Sequence, residues 1–140
     1  LLVLFSWPES RVRLDQLRTA STAITTTGTA ILAVPMTDLP PDELTSLAQG
    51  MPFPVITQGG REISRSYALF RRTLSIPDLF GEGTRQSHME FLFDRFGYLR
   101  ARWIPHGDGP SWTDMSLLTQ QITQLNQERE ILPPPGDHVH

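Results

Sequence analysis

The chain has 140 residues, 39% of them hydrophobic, enough for one domain with a real core and too few for two. It has no cysteine, which excludes disulfide staples, thiol nucleophiles, CxxC redox chemistry and zinc sites built on thiolates. Fifteen acidic residues face twelve basic ones, all arginine, and the formal charge of −3 gives no overall electrostatic reason to bind nucleic acid.

Leu1–Phe5 is a short apolar run closed by Ser6-Trp7-Pro8, and its length and branching fit a buried strand. It lacks the basic flank of a signal peptide, and no stretch reaches the roughly 18 apolar residues needed to span a bilayer. A start inside an apolar run, without methionine, leads us to expect a domain cut from a longer protein. From Glu9 the spacing turns helical, with Leu14, Leu17 and Ile24 on one stripe, and the Thr25–Gly28 cluster ends the helix. Ala30–Val34 reads as a second strand stopped by Pro35. Pro41 followed by Asp42 and Glu43 then marks the first turn of a short helix over 41–49.

Phe53–Thr57 reads as a third strand, Gly59-Gly60 as a turn, and 61–72 as a helix with Ile63, Tyr67 and Phe70 on its apolar face. Strands alternating with helices predict parallel pairing, with helices packed on the sheet. Pro77, Gly81 and Gly83 make 73–87 a long loop. The strongest local signal is an antiparallel hairpin over 89–103, turning at Arg95-Phe96-Gly97. Strict alternation puts Met89, Phe91 and Phe93 on one face, and groups Leu99, Ala101 and Trp103 against Tyr98, Arg100 and Arg102, with one packed and one wet face. Ser111-x-x-Asp114 resembles a capping box and opens an amphipathic helix over 111–129 carrying Met115, Leu118, Ile122 and Leu125. The expected result is a five-stranded mixed sheet flanked by four helices in a domain over 1–130. Residues 131–140, rich in proline and histidine, form a disordered tail.

This order resembles the α/β thioredoxin fold, in the variant with an extra βα unit before the C-terminal hairpin and helix. Leu2–Leu17 is similar to the strand, active-site turn and first helix of periplasmic thiol:disulfide oxidoreductases of the cytochrome-maturation type. Those proteins carry a CxxC, then an arginine with leucines three and six residues after it. Here Trp7-Pro8-Glu9-Ser10 stands in place of the CxxC, and Arg11, Leu14 and Leu17 keep the remainder of the pattern. Met89–Trp103 resembles the hairpin of the same proteins, in which a cis-proline precedes the first strand; His88 stands at that position. Both catalytic signatures are missing, so the redox activity does not carry over. The arginine-rich segment before the hairpin is similar to redoxin-like domains fused to copper-resistance-type membrane proteins or to cytochrome c modules. The resemblance implies the periplasmic or exported side of a bacterial membrane, with any membrane contact made through a parent chain.

Three functional readings remain open. In the first, the degenerate groove of Trp7, Pro8, Glu9, Ser10 and His88 binds a protein or peptide partner without a cofactor, since a helix N-terminus, an aromatic and a histidine on the rim would meet there. A plainer role for Glu9 and Ser10 is to cap the helix, and for Trp7 to pack under the 73–87 loop. In the second, His138 and His140, with Asp137, handle copper or another metal, although two histidines on a flexible tail make a weak site. In the third, Glu9, Ser10 or His88 act in an enzyme, a Ser–His pair for which the sequence shows no orienting carboxylate. Eight arginines and five acids lie between Arg61 and Arg102, a basic stretch that reads as a solvated face or as a site for anions or an acidic partner.

Overall fold

The computed structural model describes residues 1–72, 87–103 and 114–128, the side chains of 68–72 excepted. In chain order the elements are β1 (Leu2–Phe5), α1 (Arg11–Thr26), β2 (Leu32–Pro35), α2 (Pro41–Gln49), α3 (Gly60–Arg72), β3 (His88–Phe93), β4 (Leu99–Trp103) and α4 (Met115–Gln127). Residues 73–86 of the expected 73–87 loop, Ser111 of the capping box, and the 131–140 tail with His138 and His140 lie outside the described residues.

The strands form one sheet in the order β2-β1-β3-β4. β1 runs parallel to β2 and antiparallel to β3, and β3 and β4 form the expected hairpin. All four residues of β1 are buried, as its unbroken apolar run requires of a strand covered on both sides. Val3, Phe5, Ala33 and Leu92 face a cluster built with Leu14, Leu17 and Ile24 of α1 and Leu118 and Ile122 of α4. On the opposite face Leu2, Leu4, Val34, Met89 and Phe91 pack with Ile63 and Tyr67 of α3. The sheet is therefore the middle of three layers, which corrects the expectation of a wet face for β3, whereas Tyr98 and Arg100 on the other arm of the hairpin are exposed as expected.

Two further expectations are corrected. Among the described residues the five-stranded sheet becomes four strands plus a single parallel bridge, Ala33 to Val55, where the third strand was expected. Pro52 and Pro54 lack N–H donors, so after the bonds from Ala33 N–H to the Pro54 carbonyl and from Ile56 N–H to the Ala33 carbonyl the ladder stops. In β4, Ala101 is opposite Leu92 but Leu99 is opposite Phe93, so Arg100 is the extra residue of a β-bulge. The bulge turns Leu99 to the α3 side, while Ala101 and Trp103 pack on the α1/α4 side.

The helix ends follow local chemistry. Pro41 opens α2, with Asp42 and Glu43 in its first turn. Asp114 caps α4 by accepting from the Ser116 N–H. Ser10 occupies the N-cap position of α1 without capping it, and its hydroxyl is used elsewhere.

Candidate functional site

Residues 6–10 join β1 to α1 in one tight turn. Ser10 N–H donates to the Ser6 carbonyl at 2.9 Å and Arg11 N–H to Pro8 at 3.0 Å, and the Trp7–Pro8 peptide is cis. The Ser87–His88 bond, where the resemblance would put a cis-proline, is trans. Pro8 and Glu9 are exposed. Trp7 is half-buried against the α1/α4 cluster, and its indole N–H donates to Glu43 Oε1 of α2 at 2.8 Å. The indole is thus anchored at both ends, and its neighbours Ser6, Met36, Thr37, Asp38 and Arg65 line an open cleft above the ends of β1 and β2.

Ser10 and His88 do not stand on the rim of this cleft. They are only 2% and 1% exposed, which corrects the expectation of a surface histidine at the strand end. The register Phe5 to His88 and Val3 to Glu90 turns both His88 and Glu90 toward the α1/α4 layer. There His88 Nδ1 lies 3.0 Å from Ser10 Oγ, and Nε2 lies 2.8 Å from Glu90 Oε1. Arg13, one helical turn beyond Ser10, closes a fork on the same carboxylate: Nε to Oε1 at 2.6 Å and Nη2 to Oε2 at 2.9 Å. Its Nη1 also donates to Gln16 Oε1 at 3.2 Å and to the Met115 sulfur at 3.0 Å, where α4 begins. Among the described residues no buried side-chain polar atom lacks a partner.

Burial by itself would push the Glu90 carboxyl up, but hydrogen bonds from Arg13 and His88, together with their charges, hold it below its ordinary value. A carboxylate with no exposure is tolerable only because the guanidinium neutralises it in a bidentate pair. The sequence showed no carboxylate to orient a Ser–His pair; the structure supplies one, and Ser10, His88 and Glu90 stand in the order of a hydrolytic triad. Two features separate the arrangement from a working one. The Ser10 hydroxyl is sealed from solvent and lies 2.9 Å from the Ser87 carbonyl, and both oxygens of the Glu90 carboxylate are already held by Arg13. What the geometry achieves is to clamp α1, β3 and the head of α4 together.

Glu90 and Arg13 were missed from the sequence, although both left a signal. Glu90 interrupts an apolar strand that is buried on both sides, and Arg13 falls on the stripe of Leu14 and Leu17. Opposite charges on two buried faces are a pairing signal. The basic stretch is partly spent internally: Arg61 pairs with Asp38, and Arg100 with Asp94 and Glu128. No group of three or more potential metal ligands occurs among the described residues.

Neither a protein-family profile nor a curated protein sequence matches the chain. Among solved structures it is similar to the bacterioferritin comigratory protein of Xanthomonas campestris, a protein with alkyl peroxide reduction activity. The TM-score is 0.61 at 15% identity, over 90% of this chain and 80% of that one. The shared feature is the thioredoxin-like fold.

Proposed function

We propose that this chain is a non-catalytic thioredoxin-like domain in which the position of a redox centre has become a buried clamp, and which acts by binding a protein or peptide at the adjoining cleft. The observation that carries this reading is the burial of Ser10 and His88, at 2% and 1% exposure, within a saturated hydrogen-bond network. A redox or hydrolytic centre needs a reactive atom that substrate can reach, and this one offers none; with no cysteine, thiolate chemistry is absent from the chain. The half-buried Trp7 beside the cleft has the amphipathic anchor character common in recognition sites. The likeness to exported redoxin-like domains supports a place in a larger exported or membrane-associated protein.

Two measurements test the reading. Insulin reduction, organic hydroperoxide consumption and labelling by a fluorophosphonate serine probe should all match a protein-free control; turnover or Ser10 labelling refutes a non-catalytic role. Peptides selected from a displayed library on the intact chain should lose binding to Trp7→Ala but not to Tyr98→Ala, a substitution at the hairpin. Selected peptides that bind both variants equally would remove the cleft from the proposal.

A further inference from the structure

The clamp contains one hydroxyl hydrogen and two acceptors for it. Glu90 is a carboxylate bridged by Arg13 and therefore only accepts, so His88 Nε2, 2.8 Å away, carries a hydrogen whatever the charge of the ring. On the other side of the ring, Nδ1 is 3.0 Å from Ser10 Oγ, and that oxygen is also 2.9 Å from the Ser87 carbonyl and 3.3 Å from the Ser6 N–H.

We infer that His88 and Ser10 form a proton-operated latch beneath the cleft. With a neutral ring, Nδ1 is a bare acceptor and takes the Ser10 hydroxyl hydrogen. With a charged ring, Nδ1–H donates to Ser10 Oγ, and the hydroxyl hydrogen turns to the Ser87 carbonyl. No heavy atom has to move, since each distance is already a hydrogen-bond length in either state. The Ser87 carbonyl accepts from Ser6 N–H at 2.7 Å throughout, and protonation gives it a second donor from the head of α1. Ser6 and Ser87 both line the cleft, so the latch couples the charge of a buried ring to the cleft wall.

The charged groups that face the ring are Glu90, on its own strand, and behind it the Arg13 guanidinium of α1. From β1 the partner is the apolar Phe5. From α4, Met115 contacts Arg13, and Asp114 acts on the Arg13 charge. The latch is independent of what the cleft binds.

The test is a pH titration of the intact chain by NMR, with labelled histidine assigned by comparison with His88→Gln, over the range where imidazoles change charge, about pH 5 to 8. Nε2 should keep its hydrogen throughout. As pH falls, Nδ1 should pass from a bare to a protonated nitrogen, and the Ser87 carbonyl resonance should move with the same midpoint. In Ser10→Ala the ring should still titrate while the Ser87 response vanishes, and Ser10→Thr should restore it. Loss of hydrogen from Nε2 first, a ring whose charge does not change while the chain stays folded, or a Ser87 carbonyl that ignores the ring would each overturn the latch. The wild-type titration alone decides these outcomes should Ser10→Ala fail to fold.

Discussion

At the scale of residues, the decisive interaction is the fork of Arg13 on Glu90, at 2% and 0% side-chain exposure. Removing one partner of such a pair strands a charge away from water, and Arg13→Met should lower stability by about 3–5 kcal/mol. Replacing both partners, as in Arg13→Met with Glu90→Leu, removes the stranded charge and should recover a large part of that loss. Urea unfolding of the single and double variants checks this, and a single variant within about 1 kcal/mol of wild type would show that water reaches the site. The same pair sets an acid limit. Because Glu90 is held below its ordinary value of 4.5, its ionised form contributes stability that is complete above that pH and is lost as pH falls toward the depressed folded value. Glu90→Gln should therefore flatten the dependence of stability on pH below about 4.5, while lowering stability at neutral pH. Little of this was legible beforehand. Ser10 and His88 were identified by position, but alternation and helical spacing mark which face a residue occupies and not which partner it meets across the layer.

At the scale of elements, α3 depends on a close approach to β2. A Cβ on Gly60, at the first position of the helix, would stand 2.9 Å from Pro35 Cγ and 3.0 Å from the Pro35 carbonyl oxygen, a rigid ring and a backbone atom. Gly60→Ala should therefore destabilise by about 1–3 kcal/mol through overpacking, despite the better helix propensity of alanine. Thermal unfolding at or above the wild-type temperature would contradict that close packing. Element type and order were readable because long periodic runs such as Leu14–Ile24 and the Met89–Phe93 strand carry their period openly. The misreadings came from effects that the period hides. Prolines at 52 and 54 keep an apolar run from pairing beyond one bridge, and one extra residue at Arg100 reverses the face of Leu99. A bulge is a choice made by two strands together and leaves no mark on either alone.

For the whole molecule, β1 is the shared wall of both hydrophobic clusters. Val3 and Phe5 belong to the α1/α4 side, and Leu2 and Leu4 to the α3 side. A defect on one side should therefore be felt on the other, and the domain should unfold as one unit. Phe5 is fully buried, and Phe5→Ala should lower stability by about 3–5 kcal/mol, the lost transfer energy plus the cavity left behind. The two sides carry their own reporters. Trp7 and Trp103 pack on the α1/α4 cluster, so with Trp112→Phe the tryptophan emission reads that side. Tyr67 sits 5.5 Å from the Phe91 ring on the α3 side, and as one of only two tyrosines it can be followed by fluorine NMR after 3-fluorotyrosine labelling. Both signals should change with the same urea midpoint in the wild type, and both midpoints should fall together in Phe5→Ala. If the tryptophan transition moved alone while the Tyr67 transition stayed at its wild-type midpoint, the two layers would be separate units, and the central strand would not couple them.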